Sequence, residues 1–211
     1  MLDVHPPHEA AHTWKDFFIH IITIVVGLCI AVGLEQTVEF FHHRRELRTA
    51  REEINDDLMS NRRGVVRQLE CVHAVQAELK ADMALLLAHR ATERPLNGTL
   101  HFDWSFLRTR SAAWQTAKQS GAVNLMPYRE QTGYEYTFGV AALVMDSAEK
   151  WQIELETAKA IATRAPDGAL SPQDTNELIT AISDTEGKLA RTERLITFEQ
   201  GALAPDAFAM Q

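Results

Sequence analysis

The sequence predicts an all-α protein in which an N-terminal transmembrane helix continues into the long first helix of an antiparallel helical bundle. Three observations carry this reading. Phe17 to Leu34 runs without a formal charge unless His20 is protonated. Beyond it, apolar residues recur at steps of three and four over long stretches, the period of a helix with one buried face. Proline, glycine and asparagine gather at a few places that cut the chain into three long helices and one short one.

The apolar run comes first. Its residues would rise about 27 Å as a helix, close to the roughly 30 Å hydrocarbon thickness of a bilayer. Trp14 and Lys15 precede it, and Phe40, Phe41, His42, His43, Arg44 and Arg45 follow, which suits aromatic belts and basic head-group contacts at the two interfaces. Ala31-Val32-Gly33 resembles a signal-peptide cleavage site. Against cleavage, only Lys15 is basic before the run, the run is longer than a usual signal core, and the helical pattern continues past the cut. The expectation is a retained anchor over residues 13–41, after a tail over 1–12 that carries His5, His8 and His12. Gly27, Ala31 and Gly33 give the anchor small residues where another helix can approach closely in lipid. The partners expected are therefore the lipid bilayer and a second copy or another membrane protein.

Net charge narrows the functions. At −8 over 211 residues, the chain has no basic face of the kind a phosphate backbone demands, so nucleic acid is not an expected partner. Positive charge is local: Arg44, Arg45, Arg48 and Arg51 follow the anchor and are candidates for contact with anionic lipid head groups, a solvated helix face being the alternative. Lys15 alone stands on the other side, so the positive-inside rule favours a cytoplasmic over a periplasmic C-terminal domain. Cys29 lies in the anchor and Cys71 beyond it, too far apart on one helix to bridge.

Residues 42–201 are expected to form the bundle domain. Its first helix carries Leu47, Ala50, Ile54, Leu58, Val65, Leu69, Val72, Leu79, Met83 and Leu86 on one stripe to about Arg90, with a weak point at Gly64 and a polar residue, Asn61, on the seam. Residues 91–99 read as a turn. Leu100, Phe102, Trp104 and Phe106 then alternate with polar residues, and with no second strand to pair they predict an extended crossover laid on the bundle. Ser111 and Gly121 bracket a short helix. Pro127 opens the next, with Val140, Leu143, Val144, Ala148, Trp151, Leu155, Ala158 and Ile161 as its stripe and Gly168 beyond its end. Ser171-Pro172-Gln173-Asp174 starts the last, whose stripe is Leu178, Ile182, Leu189, Leu195 or Ile196, and Phe198; a tail over 202–211 closes the chain.

Trp114-Gln115-Thr116-Ala117-Lys118-Gln119-Ser120-Gly121, taken with the anchor Ile-Val-Val-Gly-Leu-Cys-Ile-Ala-Val-Gly-Leu, resembles a group of uncharacterised bacterial single-pass membrane proteins. These pair a Gly-containing anchor with a later aromatic-x-x-x-Lys-x-Ser-Gly turn. The resemblance implies a bacterial membrane protein and brings no activity or functional residue with it; the membrane expected is the bacterial inner membrane.

Chemistry is thin. Two Glu-x-x-His steps, Glu39 to His42 and Glu70 to His73, each set a carboxylate and an imidazole on one helical face, as in di-iron bundles. They lie about 46 Å apart on one helix and cannot share a metal within one chain. His20 sits one turn inside the anchor, where a neutral imidazole reaches the interface. No catalytic triad, phosphate loop, dinucleotide fingerprint or cofactor motif is recognisable. Trp104, Trp114, Tyr134 and Trp151 concentrate aromatic surface in mid-domain and form either core or a ligand pocket. The function expected is a membrane-anchored helical interaction or assembly module without catalysis. A helical sensory or ligand-binding module is the first alternative and a metal-dependent enzyme using histidines and carboxylates the second.

Overall fold

A computed structural model describes residues 14–165 and 169–203. The histidines of the N-terminal tail, Gly168, and all but the first two residues of the C-terminal tail lie outside the described residues. Four helices follow one another: α1 (Trp14–Thr92), α2 (Ala112–Ser120), α3 (Tyr128–Ala162) and α4 (Pro172–Ala202), with a short 3-10 turn at Ala122–Leu125 and no strand among the described residues. The fold is all-α. The chain divides into two compact units, up to Arg48 and from Thr49 onward, so α1 contributes to both.

The helix ends follow local chemistry. Ser171 caps α4: its Oγ accepts from the Asp174 amide at 3.1 Å and its hydroxyl donates to the Asp174 carboxylate at 2.6 Å, with Pro172 in the first turn where its missing N–H leaves nothing unpaired. Gly121 ends α2 in the left-handed region at φ 85°, where a Cβ would be strained. Pro127 sits at the cap of α3 itself, one residue ahead of the helix it was expected to begin. α1 runs unbroken through 60–64, across the weak point expected at Gly64. That glycine is buried instead, and an added Cβ would come within 3.3 Å of the Leu107 side chain.

In the second unit, α3 and α4 are the closely packed pair. Small and hydroxyl residues let them approach: Ser147 and Thr192 meet side chain to side chain at 2.8 Å in the interior, and Ala148 of α3 and Ala181 and Thr185 of α4 are buried as well. Lys188 reaches Glu154 on the same pair of helices, and the two contacts together show α3 and α4 antiparallel. His73 and Gln76 of α1 both bond Glu193 of α4, and His89 bonds the Leu170 carbonyl, so α4 is antiparallel to α1 as well. Consequently α1 and α3 run in the same direction. The core joins Val65, Val72, Val75, Leu79 and Leu86 of α1, Phe102 and Phe106 of the crossover, Val144, Trp151, Leu155 and Ile161 of α3, and Leu178, Ile182, Leu189 and Ile196 of α4.

Two residues expected on the buried stripes are on the surface. Leu143 of α3 is 50% exposed and Phe198 of α4 is 53% exposed. Leu143 is adjacent to Val144, which lies on the buried arc. On α4 the arc steps from Ile196 to Glu199 and Ala202, leaving Phe198 outside, edge-to-face with Tyr136.

Candidate functional site

The crossover, not the aromatic cluster, is where α1 concentrates its polar chemistry. Between Glu93 and Ser111 the backbone is neither helix nor sheet, so its N–H and C=O groups need other partners. Polar residues on the buried seam of α1 supply them. Asp82 Oδ2 accepts from the His101 amide at 2.8 Å, the Cys71 thiol faces the Ser105 carbonyl at 3.5 Å, and Gln68 Nε2 donates to the Leu107 carbonyl at 2.9 Å. Asn61 closes a reciprocal pair with Arg110, donating to its carbonyl and accepting from its amide, both at 2.7 Å. Asp57 accepts from the Ala113 amide at 3.0 Å and holds the Arg110 guanidinium at 2.9 Å. Asn61 therefore has a partner within its own chain. The alternation at 100–106 puts Phe102 and Phe106 into the core, and Phe106 meets Trp151 edge-to-face at 5.9 Å.

The aromatics divide. Trp114 stacks on Phe138 at 5.9 Å, lies against Tyr134 at 5.7 Å and carries the Lys118 ammonium over its ring. Trp151 is fully buried beside Phe106, and Trp104 is half-buried at the edge of that core. These four residues fill space rather than line one cavity. Tyr134 borders a depression of about 490 Å³ with Asn55, Leu58 and Pro127. A cavity of about 600 Å³ is lined by Leu96, Leu100, Phe102, Lys159, Ala162 and Leu170 among others, with the Lys159–Asp103 ion pair on its wall, and contains none of the four.

In the first unit, every side chain of the apolar segment is exposed, and its most apolar window has a mean hydropathy of 2.7, long and apolar enough to cross a membrane. Polar groups inside it close on their own helix: His20 Nδ1 lies 2.9 Å from the Asp16 carbonyl, and Thr23 donates to the Ile19 carbonyl. Trp14, Phe17 and Phe18 form one ring cluster and Phe40 with Phe41 another. Gly27 and Gly33 face open space. Arg44, Arg45 and Arg48 are exposed, whereas Arg51, in the second unit, forks onto Glu130 with bonds of 2.7 and 2.6 Å.

Glu199 was not legible as a special residue. It is 0% exposed, neither carboxyl oxygen has a hydrogen-bond partner among the described residues, and burial pushes its pKa up to about 7. Asp82 is also raised, by burial, against the pull of the His101 amide. Burial likewise raises the Cys71 thiol. His42 and His43 pair with Glu46 and Glu39 on their own helix, and His73 with Glu193, so the two Glu-x-x-His steps are engaged elsewhere. Among the described residues no three His, Cys, Asp or Glu side chains gather as a metal site. No family model, curated protein or solved structure matches the chain.

Proposed function

We propose that this chain is a single-pass protein of the bacterial inner membrane whose helical domain is a non-catalytic interaction or assembly module. The observation that supports it is the pairing of an apolar helical segment, exposed on all sides, with a domain in which the buried polar side chains of α1 hold its own crossover. Exposed to water, such a segment would forgo about 25 cal/mol for each Å² of apolar surface, and a bilayer removes that cost. The aromatic clusters at Trp14 and at Phe40–Phe41 suit the two interfaces, and Arg44, Arg45 and Arg48 suit anionic head groups on the cytoplasmic side. The Gly27, Ala31 and Gly33 face suits a neighbouring helix, from a second copy or another membrane protein.

Native membranes test it. The protein should resist alkaline extraction, and crosslinking should trap it with a partner or a second copy. A monomeric protein that yields no crosslinked species removes the interaction reading. Orientation is read from Cys71 labelling by an impermeant maleimide in cells with a permeabilised outer barrier, against a denatured control, because the thiol is half-buried. Protection until lysis is the cytoplasmic result.

A ligand-binding role is a second reading, favoured by the 600 Å³ cavity between the crossover and the end of α3. It predicts a thermal shift with at least one compound of a broad metabolite screen, and a flat screen removes it.

A further inference from the structure

Where the crossover lies on α1, the surface reverses the sign of the whole chain. Arg62, Arg63 and Arg67 of α1 are exposed, and so are Arg108 and Arg110 of the crossover. The Asn61–Arg110 and Gln68–Leu107 bonds hold residues 107–110 against residues 61–68, bringing Arg108 and Arg110 beside the stretch of α1 that carries Arg63 and Arg67, whereas Arg62, about 140° from Arg67 around the helix, belongs to the other flank. Only Arg110 is neutralised, by Asp57; among the described residues no carboxylate pairs with Arg62, Arg63, Arg67 or Arg108. Apolar side chains lie among them: Met59, Val66 and Leu107 are 52%, 54% and 40% exposed.

We infer that this face is a docking surface for a short acidic segment of a partner protein that carries apolar side chains between its carboxylates. The inference rests on the interaction-module reading and names its surface. Guanidinium forks match carboxylates bidentately, and exposed apolar groups between them reward a segment that alternates acid with Leu-like side chains. The platform is preorganised, because Gly64 seats Leu107 closely and Asn61 and Gln68 fix the backbone on either side, so little order is lost on binding. Its limits decide the class of partner. Along α1 the patch is bounded by Glu52, Glu53 and Asp56 before it and Glu70 after it, all exposed, in a chain of net charge −8. A flat anionic bilayer or a long polyanion would meet that acidic border; a short segment fits inside it.

The test uses the full chain in neutral detergent and two fluorescein-labelled peptides of equal length and charge, one alternating Glu with Leu and the other Glu with Ser. The Glu/Leu peptide should bind with an anisotropy change that falls with added salt. The Glu/Ser peptide should bind at least fivefold more weakly. R63Q, R67Q and R108Q together should weaken the Glu/Leu peptide at least tenfold, and R108Q alone, on the crossover, at least twofold with an unchanged melting curve. Equal binding of both peptides, or no effect of the arginine substitutions, overturns the inference. So does displacement of the Glu/Leu peptide by phosphatidylglycerol added to the detergent micelles but not by phosphatidylcholine added in the same amount, which would assign the face to lipid. Crosslinking in native membranes separates this failure from that of the broader reading: a partner retained by the triple variant leaves the interaction module standing and removes this surface from it.

Discussion

Replacing Glu199 by Gln should make the domain more stable above neutral pH and leave it nearly unchanged in acid. The carboxyl is fully buried without a partner among the described residues, and burial raises its pKa to about 7 from an ordinary 4.5. A raised carboxyl pKa means that the folded state keeps its proton while the unfolded chain has already released it. Stability is therefore lost as pH climbs from the unfolded value through the folded one, and the loss levels off above about 7. The difference between the two pKa values corresponds to about 3 kcal/mol. Glutamine keeps the shape and cannot ionise, so the variant escapes the loss. The two proteins should differ in stability at pH 8.5 by about 3 kcal/mol more than at pH 4.5, roughly 6 to 12 °C in Tm for a domain of this size. Any pH-independent penalty of the buried amide moves the variant's whole curve and leaves that difference intact. Thermal unfolding of the full chain in detergent, followed through the buried Trp114 and Trp151, reads this directly. Parallel curves for wild type and variant across that range would refute the reasoning and mean that Glu199 reaches water or a partner.

Other expectations follow from single residues. Asn61→Ala removes both bonds to Arg110 and should cost about 2 kcal/mol, with amide exchange rising at residues 107–111 before it rises in α3 or α4; unchanged exchange there would show that the crossover is held by its aromatics alone. Gly121→Ala puts a Cβ at φ 85°, in ordinary contact with the Asn124 side chain at 3.8 Å, and should cost about 1 kcal/mol in denaturant titration, from strain rather than collision. Trp151→Ala empties a fully buried site beside Phe106 and should cost about 3 to 5 kcal/mol, the largest single loss among these variants by urea midpoint.

The elements were legible because each carries a local signature. Ser171-Pro172-Gln173-Asp174 caps a helix in any context, and Gly121 permits a backbone conformation that few residues share. The extended crossover was legible too, since four alternating apolar residues with no partner strand have few other uses. Its attachment was not. Asp57, Gln68 and Asp82 look like ordinary polar residues of a long helix, and only the arrival of residues 101–113 against them makes them interior. Periodicity failed at Leu143 and Phe198 because adjacent positions on a helix differ by only 100° of arc, and hydrophobicity alone does not choose between them. The same ambiguity hid Glu199, a carboxylate at a position whose spacing from Ile196 is that of a core residue. The aromatics followed composition only loosely: Trp114 and Trp151 are core, as their size favours, but they belong to separate clusters.

The nesting of the crossover's bonds also bears on how the chain assembles. They link residues separated in sequence by 19 at Asp82–His101, 34 at Cys71–Ser105, 39 at Gln68–Leu107, 49 at Asn61–Arg110 and 56 at Asp57–Ala113. Each contact, once made, shortens the free chain that the next must close, so the entropic cost of the longest loop is met in small instalments. All of these partners lie ahead of α3 in the chain, and a ribosome would deliver this clasp complete before the helices that cover it had been made.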